Sequence, residues 1–261
     1  MDLIDHERKF HDNVAIHRFK TRRLINRLAT SFYDKEIVWA PVWEELGNLS
    51  GKIVLDYGCG TGGFSFKLVQ MGAIVYGIDI SKEMILLAKK HICQGIRPPE
   101  FLICDAHRTS FPDAFFDVIF GNGILHHLDL EIAFREIARI LKPGGRGYFM
   151  EPLALHPLLR IVRRLTPQAR SGDERPLTFQ DIELAKRFFS KVIHTEYFLL
   201  SVGAAPIGLL STAFQKVIVK ICHRLDRFVF WILPCTRRYA WITMIRLEKG
   251  MHLTHVCQHF K

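Results

Sequence analysis

The chain has 261 residues, 49% of them hydrophobic and 24% charged, enough for one globular unit with a sizeable core and an appended lobe. Its net charge of +10 is unevenly placed: residues 1–152 balance 19 lysines and arginines against 19 acids, whereas residues 153–261 hold 17 against 7. The second half therefore expects an anionic counterpart, such as a membrane surface, nucleic acid or an acidic substrate, while six scattered cysteines with no C-x-x-C pair give no disulfide framework and no metal site.

The first residues, Met1-Asp-Leu-Ile-Asp-His-Glu-Arg-Lys9, are too charged for a secretory signal, so a cytoplasmic location is expected. Residues 1–49 combine a basic middle, from Arg18 to Arg27, with aromatics at Phe32, Tyr33, Trp39 and Trp43. They read either as helices packed on the edge of a core or as an N-terminal helical lid over a cleft, with His11 or Tyr33 inside; the lid is the expectation adopted.

A strand, Ile53 to Asp56, then runs into a turn with glycines at 58, 60, 62 and 63, followed by a helix from Phe64 to Met71. Glycines there let the backbone approach a ligand, and the helix N-terminus behind them offers N–H groups. The spacing also fits a dinucleotide fingerprint. Asp56 argues otherwise: a carboxylate at the mouth of this strand repels a pyrophosphate and welcomes an ammonium or sulfonium. A turn with no ligand is the plain alternative.

Ala73 to Ile80 is a second strand ending in Asp79, placed to accept ribose hydroxyls. Ser81 caps a helix from Lys82 to about Cys93. Phe101 to Ala106 is a third strand with Asp105 at its end, suited to an adenine amine or simply to capping a turn. Phe116 to Gly123 is the fourth, with Asn122 near its end. Asp129 caps a helix to Leu141, stopped by Lys142-Pro-Gly-Gly145, and Gly147 to Glu151 is the fifth. The alternation predicts an α/β fold with a doubly wound parallel sheet and ligands at the carboxyl ends of its strands, where Asp56, Asp79, Asp105, Asn122 and Glu151 all fall.

These residues resemble the class I S-adenosylmethionine-dependent methyltransferases, small-molecule branch. Val54-Leu-Asp-Tyr-Gly-Cys-Gly-Thr-Gly62 is similar to their first motif, Tyr76-Gly-Ile-Asp-Ile-Ser81 to their ribose-binding strand end, and Asp105-Ala106 to their adenine-binding pair. Leu125-His-His-Leu128 and Arg139-Ile-Leu-Lys-Pro-Gly-Gly145 resemble later motifs of the same branch. The resemblance covers about residues 50–152. It implies a Rossmann-like seven-stranded sheet with strand seven antiparallel, and S-adenosylmethionine as cofactor. It also implies that Asp56, Gly58, Cys59, Gly60 and Gly62 hold the methionine moiety, Asp79 and Ile80 the ribose, and Asp105 with Ala106 the adenine, while Asn122 lies beside the sulfonium.

Residues 153–261 carry the rest. Thr178-Phe-Gln-Asp181 is a capping box, and Lys191 to Phe198 and Tyr239 to Leu247 fit strands six and seven. Where the family has a short hairpin, about forty apolar and basic residues intervene. His156 to Leu165 is a short basic helix, expected to hang over the site as a cap. Tyr197 to Gln215 lacks charge for 19 residues, but its glycines, its proline and the strand at its start argue against a membrane span. From Lys216 to Trp231, Lys216, Lys220, Arg224 and Arg227 recur at spacings of four, four and three among apolar residues. That pattern suits a helix lying in a membrane interface through residues 199–238, a greasy substrate tunnel, or an ordinary surface helix.

Methyl transfer is an in-line displacement that needs the acceptor about 3 Å from the methyl carbon, with a base if that acceptor is a hydroxyl. The catalytic candidates are His126, His127, Glu151 and His156, of which adjacent His126 and His127 cannot both face the cofactor; each could equally make a structural hydrogen bond. The expected activity is methylation, O-methylation favoured, of a small hydrophobic acceptor such as a lipid, quinone or polyketide-like compound. An RNA methyltransferase, suggested by the pI of 9.4, is the alternative; nucleic acid is not expected, because Asn122-Gly-Ile-Leu lacks the proline pair of base-amino methylases. A non-catalytic S-adenosylmethionine-binding subunit is a further alternative.

Overall fold

The computed structural model describes residues 35–90, 97–165, 175–204 and 212–251. The lid expectation for Tyr33 and His11 lies outside them. Residues Lys35–Leu46 form α1, which lies on the sheet with Val38 and Trp39 buried. The Trp39 ring packs 4.8 Å from Phe64 and 5.8 Å from Phe120.

The chain then alternates: β1 (Ile53–Tyr57), α2 (Gly63–Gln70), β2 (Ile74–Asp79), α3 (Lys82–Lys89), β3 (Glu100–Ile103), β4 (Phe116–Asn122), α4 (Leu130–Ile140) and β5 (Leu141–Pro152). The second half adds α5 (Pro157–Leu165), α6 (Phe179–Leu184), β6 (Lys191–Tyr197), α7 (Thr212–Ile232) and β7 (Ile242–Glu248). The seven strands form one sheet of order β3-β2-β1-β4-β5-β7-β6. Strands β1 to β5 pair in parallel, and β7 runs antiparallel to both β5 and β6. This is the doubly wound seven-stranded sheet expected.

Local chemistry accounts for the elements. Val54, Leu55, Val118 and Ile119 are buried, as near-continuous apolar runs in a parallel sheet covered on both faces should be. Ser81 accepts the Met84 N–H at 3.2 Å and starts α3. The Asp129 carboxylate accepts from Glu131 and Ile132 and starts α4. The capping box at Thr178 is formed in both directions. One boundary differs: Lys142-Pro-Gly-Gly145 is not a linker ahead of the strand but part of β5, and the pairing with β4 shifts register between Phe116 and Val118. The Lys142 ammonium reaches Asp117 at 2.8 Å and holds that irregular start against β4.

The insert's position follows from the register. Pro152 and Tyr197 both pair with Ile242, so β6 ends and β7 begins level with the carboxyl end of β5. Everything between Tyr197 and Ile242, α7 included, therefore leaves and returns at the edge where β1, β2, β4 and β5 also end.

Candidate functional site

The glycine turn after β1 is tied to β2. The Gly58 and Cys59 N–H groups donate to the Ile78 carbonyl at 2.9 and 2.8 Å, and Gly60 N–H donates to the Asp79 carboxylate at 2.8 Å. The other Asp79 oxygen accepts from Ser81 N–H at 2.9 Å. Gly58 has φ +74°, and a Cβ there would stand 2.8 Å from the Ile124 side chain. Gly60, at φ +52°, has nothing within 4 Å of where its Cβ would be, so the backbone is bare to a ligand at this point. Gly62 serves as N-cap of α2 and supplies no side-chain cap, and the Asp56 carboxylate takes the Ser65 N–H of the first turn in its place.

Asp56 is buried at the end of β1, with its carboxylate accepting from the Ser65 hydroxyl at 2.5 Å. Burial raises its pKa to about 6; the Ser65 hydrogen bond opposes that rise, and the negative charge of nearby Asp79 adds to it. A cation entering the turn would reverse the shift. Cys59 is buried beside it, and burial pushes its thiol far up, so it is a packing residue and not a nucleophile. Ile80, half-buried, continues β2 into the cap of α3.

Asp105 accepts from the His107 backbone N–H at 2.9 Å and lies 3.0 Å from the His107 ring. The Ala106 carbonyl takes the Tyr57 hydroxyl, which anchors this loop to β1. Arg139 of α4 braces the same loop, donating to the Phe111 carbonyl at 2.8 Å and to Asp113 at 2.7 Å.

At the end of β4, Asn122 is half-buried and followed by Gly123 at φ +70°. Glu151 of β5 is fully buried. One of its oxygens accepts the Ile124 and Leu125 N–H groups at 2.9 and 2.8 Å, and the other lies 2.7 Å from His126 Nδ1. A carboxylate only accepts, so this pair puts a proton on His126 Nδ1 and turns Nε2 away from Glu151. The His127 ring centroid is 4.1 Å from that of His126. Glu151 thus holds the Ile124–His127 turn and orients one histidine.

His156 sits elsewhere. It is buried, its Nε2 donates to the Leu199 carbonyl at 3.1 Å, and its Nδ1 accepts from Leu159 N–H at 3.4 Å. Burial lowers its pKa. It joins the start of α5 to the segment after β6. Two further residues escaped the sequence reading: Ser65, which has no signal beyond its place in α2, and Asp226, whose signal was being an acid alone on a basic helix. Asp226 is buried in α7 and accepts from Leu199 and Leu200 N–H, both at 3.0 Å.

The model of a methyltransferase domain matches residues 55–149. The demethylmenaquinone methyltransferase of Lactococcus lactis subsp. lactis (strain IL1403) is 34% identical over 139 residues, which are 51% of this chain and 54% of that protein. The ubiquinone biosynthesis O-methyltransferase of Coxiella burnetii is 34% identical over 143 residues, 51% of this chain and 53% of that protein. The chain thus spans about half the length of these curated relatives. Magnesium protoporphyrin IX methyltransferase from Synechocystis PCC 6803, solved with bound SAH, shares the fold with a TM-score of 0.62 at 16% identity, covering 95% of this chain and 100% of that one.

Proposed function

Residues 55–149 are a methyltransferase domain of the class I S-adenosylmethionine-dependent family, and from that premise we propose that the chain methylates a small hydrophobic acceptor, O-methylation favoured, taken from a membrane surface on its cytoplasmic side. The observation that carries the reading is the pair of carboxylates around the glycine turn, Asp79 bonded to Gly60 N–H at 2.8 Å and Asp56 buried at the end of β1 on the Ser65 hydroxyl. A buried acid already raised to about 6 suits a cationic guest and opposes a pyrophosphate.

S-adenosylmethionine, when bound, supplies a methyl carbon made electrophilic by its sulfonium. The chain's residues then have assigned tasks. Asp56 faces the ammonium end through the turn, Asp79 accepts the ribose hydroxyls, and Asp105 with Ala106 borders the adenine. Asn122 stands at the strand end beside the reacting centre. His126, with its proton held on Nδ1 by Glu151, takes the acceptor's hydroxyl proton at Nε2, and Glu151 is its positioning residue. The quinone-pathway names of the relatives and the apolar lobe at the same sheet edge support a greasy hydroxylated acceptor.

The test is calorimetry of S-adenosylmethionine binding by the wild type and Asp79→Ala, followed by turnover with long-chain hydroquinones and phenols. Micromolar binding lost in the variant supports the cofactor assignment. A wild type that does not bind overturns the function, and binding without turnover on any such acceptor leaves a cofactor-binding subunit.

A further inference from the structure

The lobe at the site's edge has an inverted surface. Along α7, Phe214, Val217, Ile221, Leu225, Phe228 and Ile232 recur every three or four residues, so they share one face. All six are exposed, with Phe214 and Phe228 at 57%. Trp231 beside them is 75% exposed. The buried face is a different one, made by Gln215, Val219, Asp226 and Phe230. Between the two lies the exposed basic row of Lys216, Lys220, Arg224 and Arg227. An ordinary surface helix turns its apolar stripe inward and its charges out; this one turns a mixed stripe inward, with Gln215 and Asp226 in it, and a wider, wholly apolar one outward.

Helix α5 repeats the pattern in miniature. Leu158, Ile161 and Val162 are exposed, Arg160 and Arg164 flank them, and Leu159 packs inward. The two helices are joined at one point, since His156 at the start of α5 holds the Leu199 carbonyl and Asp226 of α7 holds the Leu199 and Leu200 N–H groups. Leu200 is itself exposed.

We propose that α5, Leu200 and α7 form a single docking face that lies flat on an anionic lipid bilayer, with the outward apolar stripes entering the headgroup boundary and the basic rows on lipid phosphates. The charge pattern selects this occupant. Every exposed charged side chain described on α5 and α7 is basic, and the one acid, Asp226, is turned inward. A second copy of the chain would set these cations against each other, whereas an anionic surface neutralises them at roughly fivefold in partitioning per cation. No described helix is long and apolar enough to cross a membrane, so the face lies on the bilayer. It deepens the proposed function by giving the acceptor a lipid source at the site's own edge, and rests on that reading only for the acceptor's route.

The experiment is co-sedimentation of the full chain with phosphatidylcholine vesicles, with and without phosphatidylglycerol, alongside Trp231 fluorescence. Pelleting is expected with the anionic vesicles, together with a blue shift that disappears in Trp231→Phe. Replacing Lys216, Lys220, Arg224 and Arg227 with glutamine should weaken pelleting by at least a hundredfold, from roughly fivefold per cation. Phe214→Ser with Phe228→Ser should abolish it; both side chains are exposed, so the melting temperature and S-adenosylmethionine binding should be unchanged. No pelleting, equal pelleting on neutral and anionic vesicles, or a dimer in solution that dissociates on Phe228→Ser would each overturn the docking face. S-adenosylmethionine binding in the same preparation separates that failure from failure of the methyltransferase reading.

Discussion

At Asp56 stability and binding pull in opposite directions. Its native pKa of about 6 lies above the ordinary 3.8, so the native state holds a proton that the unfolded chain has released. Folding stability is therefore greatest below pH 3.8 for this group and is lost as pH rises through 6. The shift corresponds to about 3 kcal/mol. Asp56→Asn keeps an acceptor for the Ser65 hydroxyl and removes the charge, so the variant should be up to about 3 kcal/mol more stable by urea denaturation at pH 8. Its affinity for S-adenosylmethionine should fall about tenfold or more, the worth of one charge-assisted hydrogen bond.

The His126–Glu151 pair gives a second residue-scale prediction. His126→Gln removes the proposed base and should lower kcat by roughly a hundredfold or more in steady-state turnover, with little change in KM for S-adenosylmethionine. Glu151→Gln keeps an oxygen for the Ile124 and Leu125 N–H groups but no longer fixes the tautomer. It should lower kcat and shift the acidic limb of the pH–rate profile downward, because the imidazolium loses its counter-charge. An unchanged profile would reduce Glu151 to a loop anchor.

Among the elements, α5 and α7 are each tied down by a buried polar pin, His156 and Asp226. His156 is held neutral by burial, so the unfolded state binds more protons than the native one just below pH 6.5. Its contribution to stability is present above that pH and is lost as pH falls, and protonation also breaks the bond from Leu159 N–H to Nδ1. Hydrogen exchange should show residues 157–165 opening at pH 5 while the sheet stays protected. Asp226→Ala strands the Leu199 and Leu200 N–H groups and should cost about 2–4 kcal/mol, with loosening concentrated at α7. The elements themselves were legible because their signals are local: Ser81, Asp129 and Thr178 stand as caps where the helices start, and β1, β2 and β4 are apolar runs closed by a polar residue. The start of β5 was not, since Lys142-Pro-Gly-Gly145 carries every local mark of a helix stop. Contacts across the sheet draw it into the strand, from Lys142 to Asp117 on one side and from the Gly144 and Gly145 backbone to Lys249 on the other.

For the whole molecule, the parallel core, the site and the lobe share one edge, so cofactor binding should stiffen more than the glycine turn. Ligand at about a hundred times its Kd adds about 2.7 kcal/mol, which for a chain of this size raises the melting temperature by roughly 5–10 °C. Thermal unfolding with and without S-adenosylmethionine measures it, and the rise should vanish in Asp79→Ala.

The sequence by itself determined the strand order's parallel core, the glycine turn, the carboxylates at the strand ends and the basic stripe of α7, because periodicity, caps and turn chemistry are written in neighbouring residues. Tertiary structure decided what each polar group is free to do. Ser65 reaches Asp56 from nine residues on, Glu151 spends its oxygens on a turn 25 to 27 residues earlier, and His156 is claimed by Leu199. It also decided which face of α7 looks outward, through Asp226. Such partners come together only when distant segments pack, and burial then sets both the charge a group can carry and the bonds it has left.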